Sequence, residues 1–340
     1  MTKKNEASIT QNGRGKLDKK TLIRIHDLMI KSRVMEERLI NMYKQSQGYF
    51  WLGGPGEEAF NVPIGMMIKK GQGPQFDYCH FHYRSGAQML ALGMDPMDSM
   101  RQMQNTATDP FSGGRNFAAH YSKREWNVVP ITSTIETQYL TAVGTAIAQK
   151  REGGTGITIV NGGDAGTAEG DFASSLVWAT RPKMELPILM IVTNNGWGIS
   201  TDGSTQHGEK NIADRGKAFG MKTSTINGLD VQESWDALSE AFAYVRENRK
   251  PYLLEAKVTR LYGHSSATGA NLIAGEVDPI PLFEAQLEEA KVLTRDQMKK
   301  IREDYVAQML EMSKRVRDEP MPDSSTIYDH TYLGQKGRYW

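Results

Sequence analysis

The sequence predicts an α/β fold, a mostly parallel sheet with helices on both faces, and three observations carry that reading. Two short apolar runs, 156–160 and 187–193, are bounded by turn residues and separated by a helical stretch. That is the strand–helix–strand order parallel pairing needs. A third aliphatic run, 251–260, follows an amphipathic segment, 231–248. Finally, the first run passes into Gly162-Gly163-Asp164-Ala165-Gly166 and the second ends in Asn194-Asn195. Both therefore place polar turns at the carboxyl edge, where such sheets bind ligands.

The elements follow in order. Residues 1–16 are polar and mixed in charge, without the apolar core of a secretory signal, and read as a disordered leader. Over 18–45, Leu22, Ile25, Leu28, Met29, Met35, Leu39 and Met42 recur by threes and fours, a helix that Asp18 caps. The Gly/Pro-rich stretch 48–56 opens a helix at Glu57-Glu58-Ala59. One helix is expected over 85–104, then a polar stretch over 105–115. A helix over 134–150 carries Ala142, Gly144, Ala146 and Ala148, small enough for close packing. A long charged helix spans 294–317. With no internal repeat, residues 17–320 read as one α/β domain, and 321–340 as an extended tail.

Composition excludes several classes of function. With 41 basic and 40 acidic residues the formal net charge is +1, so no charge-driven nucleic-acid or membrane role is implied. No apolar stretch approaches a membrane span. A single cysteine, Cys79, rules out an intrachain disulfide and fits a reducing compartment. The expected location is the bacterial cytoplasm, with the mitochondrial matrix as the alternative. The eighteen methionines lie largely in apolar segments and read as core filler.

The chemistry concentrates at the strand ends. An Asp carboxylate, an Asn amide oxygen and a nearby backbone carbonyl are the hard oxygen donors that Mg2+ takes, with diphosphate oxygens and water completing an octahedron. Glycines at 163 and 166 let the backbone approach phosphate, and the helix start at Glu169 or Gly170 favours an anion. His82-Tyr83-Arg84 offers a phenol and a guanidinium fork suited to phosphate, although a surface Tyr-Arg pair is the commoner case. His264, on a loop after the third strand, is placed to hold phosphate and to handle protons near neutral pH. His80 and His82 lack the company of other metal ligands. No Gly-x-Gly-x-x-Gly or Gly-Lys-Ser/Thr loop supports a nucleotide-binding protein of another class.

The run Gly-Asp-Ala-Gly-Thr-Ala-Glu-Gly-Asp-Phe at 163–172, followed by Asn194-Asn195, resembles the Gly-Asp-Gly…Asn-Asn signature of thiamine diphosphate enzymes. It is most similar to the alpha subunit of the decarboxylating component of 2-oxo acid dehydrogenase complexes. Ala165 stands where that family has its second motif glycine. The segment from Gly114-Arg115 through His120-Tyr121 to 129–138 is similar to the branched-chain members, and Tyr262-Gly263-His264-Ser265 to the family's Gly-His-Ser segment. Beyond it, 267–272 departs from the usual acidic pattern.

The resemblance implies a thiamine diphosphate-binding fold and oxidative decarboxylation of a 2-oxo acid, with transfer of the acyl group to a lipoyl-bearing transacylase. It implies an active site shared with a beta subunit in an alpha2-beta2 assembly. Carried over residue by residue, Tyr83, Arg84, Gly163, Asp164, Ala165, Gly166, Asn195 and His264 would hold the cofactor, with His264 also catalytic. Ser133 and Ile135 would flank its aminopyrimidine. Asp164, Asn195 and the carbonyl of Trp197 would bind Mg2+, and Phe50 would wall the substrate pocket. Thr132, the carbonyl of Thr134, Thr137 and Gln138 coincide with a potassium site of some relatives, with Thr134 and Glu136 departing from the pattern. Ser265 matches a phosphorylation position of animal relatives. An acetoin-cleaving or other thiamine-dependent complex, and a non-catalytic assembly or regulatory relative, are the alternatives.

Overall fold

The computed structural model describes residues 17–329. The leader assigned to 1–16 and the last part of the tail, 330–340, lie outside the described residues. Helix α1 (Lys19–Lys44) starts where the Asp18 carboxylate accepts the Thr21 N–H at 2.7 Å, the cap expected there. It is followed by α2 (Glu58–Met67) and a three-residue strand, β1 (Tyr78–His80). The single helix expected over 85–104 is two, α3 (Gly86–Leu92) and α4 (Pro96–Gln104). Gly93 closes α3 in a left-handed conformation, and Asp95 caps α4 ahead of Pro96. Proline lacks the N–H that a continuing helix requires, so it begins a helix instead.

Next come α5 (Thr137–Arg151), β2 (Thr158–Gly163), α6 (Gly170–Ala179) and β3 (Ile188–Asn194). After α7 (Asp214–Ala218) lie β4 (Lys222–Asn227), α8 (Val231–Asn248) and β5 (Tyr252–Lys257). Helices α9 (Pro279–Glu289) and α10 (Arg295–Arg317) follow, and the described part of the tail holds a short turn at Ser324–Thr326.

The five strands form one parallel sheet in the order β1-β2-β3-β5-β4. Its two faces are covered by separate apolar layers. Ile159, Leu189, Ile191 and Leu254 pack with α1, α2 and α8, whereas Val160, Met190, Val192 and Leu253 pack with α5 and α6. Alternate residues of a strand face opposite sides, so strands buried on both faces read as unbroken apolar runs. Registers pair Gly163 with Thr193 and Asn194 with Lys257, so the ends of β2, β3 and β5 lie side by side.

Two polar networks fix the elements around that edge. Buried Arg33 of α1 donates to Glu58 of α2 at 2.7 Å and to Asp278, the cap of α9, also at 2.7 Å. In β5 the fully buried Glu255 accepts from the Asn194 side chain at 2.7 Å and from the Ala213 N–H at 3.0 Å. Gly56, at φ 106°, brings its backbone against the Thr259 carbonyl, where a Cβ would lie 2.6 Å away. This ties the turn before α2 to the segment leaving β5.

Candidate active site

Four neighbouring strands deliver the site from one edge of the sheet. β1 leads to Tyr83 and Arg84, β2 to Asp164, β3 to Asn195 and Trp197, and β5 to Arg260 and His264.

Arg84 is buried and donates to the Gly53 carbonyl and, at 3.2 Å, to Nδ1 of His264. A guanidinium only donates, so the His264 ring proton sits on Nε2. Tyr83 packs edge-on against His264, with ring centroids 5.9 Å apart. Burial, with Arg84 and Arg260 adding to it, depresses the His264 pKa to about 4. In the chain alone this imidazole is therefore neutral at pH 7, which corrects the expectation of a group titrating near neutrality. Burial is the larger cause and the two cations add to it, so an anion between them would reverse part of the shift. His82 is likewise held well below its usual value by burial, then by Arg84.

Arg260 was not foreseen. It lies 5.8 Å from the Trp197 ring, donates to the Gly198 carbonyl at 2.6 Å, and leaves Nε buried without a partner. Burial lowers its pKa, and the fields of Arg84, Tyr83 and Asp164 all reach it. Its sequence signal was an arginine at a strand's exit, four residues before His264.

On the opposite wall Asp164 is buried, and its Oδ2 has no hydrogen-bond partner. Burial raises its pKa, while backbone N–H groups, including that of Asn195, favour the ionised form. Asn195 braces its own turn by accepting the Trp197 N–H at 3.1 Å. No cluster of three His, Cys, Asp or Glu side chains suited to a metal occurs among the described residues. A cation here would rest on one carboxylate with amide and carbonyl oxygens, a donor set that suits Mg2+ better than a softer metal. The orphaned carboxylate oxygen fits that use. Ala165 is accommodated without strain: its φ is not positive, and its methyl faces Gly198 at 3.5 Å from a Cβ built there.

Glu136, a departure from the family pattern, fills the back of this turn. It is buried, sits at φ 62°, and burial pushes its carboxyl up to about 8 while the Gly163 N–H opposes the shift. Its oxygens lie where side chains at Gly162 and Gly166 would begin.

The remaining candidates line the rim. The Ala118 carbonyl accepts from Nδ1 of His120, so Ser133 donates to Nε2 at 2.7 Å. His120 meets Phe117 edge-on, and Phe117 stacks on Phe50 at 4.6 Å. Ile135 is exposed on the same rim as Ser133. The Thr137 hydroxyl lies 3.3 Å from the Thr132 hydroxyl and 3.0 Å from the Thr134 carbonyl. Gln138 turns away, donating to the Asn161 carbonyl at 3.3 Å. The departure from the acidic pattern at 267–272 does not leave the loop loose: the Ser265 and Thr268 side chains cap each other's backbone, and Ser265 is buried.

Residues 26–325 match the dehydrogenase E1 component family. The chain is 28% identical over 312 residues to the 2-oxoisovalerate dehydrogenase subunit alpha of Bacillus subtilis, covering 89% of this chain and 93% of that protein. It is 31% identical over 251 residues to the mitochondrial protein of that name from Caenorhabditis elegans, covering 74% and 56%. The human mitochondrial counterpart is 25% identical over 326 residues, covering 93% and 71%. A match that runs through all five strands and every residue at their carboxyl edge leaves one assignment: the chain belongs to the dehydrogenase E1 component family, as an alpha subunit of a 2-oxo acid dehydrogenase.

Proposed function

We propose that this chain is the diphosphate-holding half of a branched-chain 2-oxo acid dehydrogenase that uses thiamine diphosphate and Mg2+. One observation supports it above the rest: the buried, unpartnered Oδ2 of Asp164 at the same strand edge as the cationic cluster of Arg84 and Arg260. Such a site suits a metal bound to a diphosphate. When bound, thiamine diphosphate supplies the carbon nucleophile and electron sink for decarboxylating a 2-oxo acid.

The chain's own residues then have defined tasks. Arg84, Arg260 and Tyr83 donate to diphosphate oxygens, and Asp164, Asn195 and the Trp197 carbonyl hold Mg2+. Gly163, Ala165 and Gly166 keep the turn close to the phosphates. His264 presents its Nε2–H towards the reacting centre and is the proton-handling residue of this subunit. Ser133 and Ile135 border the aminopyrimidine, and Phe50, stacked on Phe117, walls the acyl pocket. The oxygens of Thr132, Thr134 and Thr137 gather as a K+ site would need.

The partners are a beta subunit, in an alpha2-beta2 assembly, and the lipoyl domain of a transacylase. The working location is the bacterial cytoplasm; no helix among the described residues is long and apolar enough to cross a membrane. The test is to purify the tagged chain with its partners and measure ferricyanide reduction over a panel of 2-oxo acids, with and without thiamine diphosphate and Mg2+. Cofactor-dependent turnover, fastest on branched acids, is expected. Preference for pyruvate would overturn the substrate class, and cofactor binding without turnover would favour the non-catalytic relative.

A further inference from the structure

Two buried orphans line one cavity beside the metal turn. Asp164 Oδ2 and His207 Nε2 both lack a hydrogen-bond partner, and both residues line a space of about 410 Å³ whose other charged lining is mixed, Asp202 and Glu209 against Lys210 and Lys257. The His207 side chain is only 7% exposed.

The ring is held in one orientation. Arg215 donates to His207 Nδ1 at 3.1 Å, to Glu209 at 2.7 Å and to the Thr167 carbonyl at 2.6 Å. Because a guanidinium has no acceptor, Nδ1 accepts and the ring proton sits on Nε2. The cavity thus faces a carboxylate oxygen that only accepts and an N–H that only donates. They do not bond to each other. A positive centre against Asp164 that carries an anionic oxygen towards His207 satisfies both.

We infer that His207 is a binding residue of the cofactor site, donating from Nε2 to a diphosphate oxygen on the metal that Asp164 holds. This rests on the thiamine diphosphate reading above. It adds a donor from the loop after β3 to those from β1 and β5, and gives Arg215 the task of fixing the tautomer.

The test uses the complex of this chain with its beta subunit, stripped of cofactor with chelator. Thiamine diphosphate is titrated at saturating Mg2+ and followed by tryptophan fluorescence, and the melting temperature of the stripped complex is measured in parallel. His207→Phe should weaken cofactor binding about tenfold or more, as loss of a charge-assisted hydrogen bond does, without lowering the melting temperature. His207→Gln, which keeps an N–H donor, should return affinity to within about threefold of the parent. Unchanged affinity in His207→Phe overturns the inference. So does equal weakening in both variants accompanied by a lower melting temperature, which marks a packing role. Should His207→Phe fail to assemble, His207→Ala against His207→Gln makes the same comparison. If the parent complex binds no thiamine diphosphate, the cofactor reading itself falls, whereas parent binding with indifferent variants removes only the role of His207.

Discussion

Replacing Gly166 by alanine should be costly for one identifiable reason. A Cβ there would lie 2.1 Å from Glu136 Oε1, 2.3 Å from its Cγ and 2.6 Å from its Cδ, well inside the 3.4 Å at which ordinary contact begins. The carboxyl has little room to retreat across the turn, because its Oε2 already packs against Gly162, in the space a Cβ on that residue would take. The backbone at Gly166 is not left-handed, so the collision, not φ, sets the cost. Overpacking of this kind costs about 1–3 kcal/mol, and displacing the carboxylate from the Gly163 N–H adds about 1 kcal/mol. The total is about 2–4 kcal/mol, or a fall in melting temperature of about 3–6 °C. Denaturant melts of a double-mutant cycle check it: in a Glu136→Ala background, Gly166→Ala should cost less than about 1 kcal/mol, a coupling of about 2 kcal/mol. The same cost in both backgrounds would refute the idea that Glu136 and Gly166 complement each other.

Other outcomes follow from the same geometry. Asp164→Ala should abolish metal-dependent retention of thiamine diphosphate on gel filtration while shifting the cofactor-free melting curve by less than about 1 kcal/mol; retained cofactor would remove Asp164 from the metal. Arg33→Met leaves Glu58 buried without its partner and should cost about 3–5 kcal/mol, read as a lower urea midpoint at an unchanged slope. The pH dependence of the cofactor-free chain should be unusual. Burial pushes the carboxyls of Glu36 and Glu57 up to about 7, so each binds its proton more tightly folded than unfolded. Their stabilisation is complete below the unfolded value near 4.5 and is lost as pH rises through 7, by up to about 3 kcal/mol each. His80, lowered to about 4 by burial, acts only below about 6.5, where acid destabilises the fold. Glu136, pushed up to about 8, acts in the same direction, so urea midpoints should fall between pH 6.5 and 8, and Glu36→Gln should lessen that fall; a flat parent profile would contradict the assignment.

What the sequence made legible is what local chemistry decides. Asp18 and Thr294 cap α1 and α10 by bonding backbone within three residues, so their helices began where expected. β2, β3 and β5 are buried on both faces and announced themselves as apolar runs. β4 did not: Lys222-Thr223-Ser224-Thr225 lies on the sheet's edge and is largely open to solvent. β1 is too short for a period to show. Within the site, Tyr83, Arg84, Asp164, Asn195 and His264 were readable because each sits in a motif, and the parallel sheet gathers them. Arg260, Glu136 and His207 had no such motif. Their placements arise where β5 pairs beside β3, where a left-handed residue turns a carboxyl under the glycines, and where Arg215 turns a ring. Only the folded chain creates those neighbours.

Glu255 adds something to the picture of the loop after β3. Asn194 and Ala213, two of the residues bonded to that buried acid, bracket the stretch that carries Asn195, Trp197 and His207. The loop is thus closed at its base by one side chain, so the entropy of bringing its ends together is spent during folding and not when cofactor arrives. Amide exchange at Gly196 and Ala213 should share a single opening event with β5, and a chain lacking the acid should lose the Asn195–His207 side of the cleft as a block rather than residue by residue.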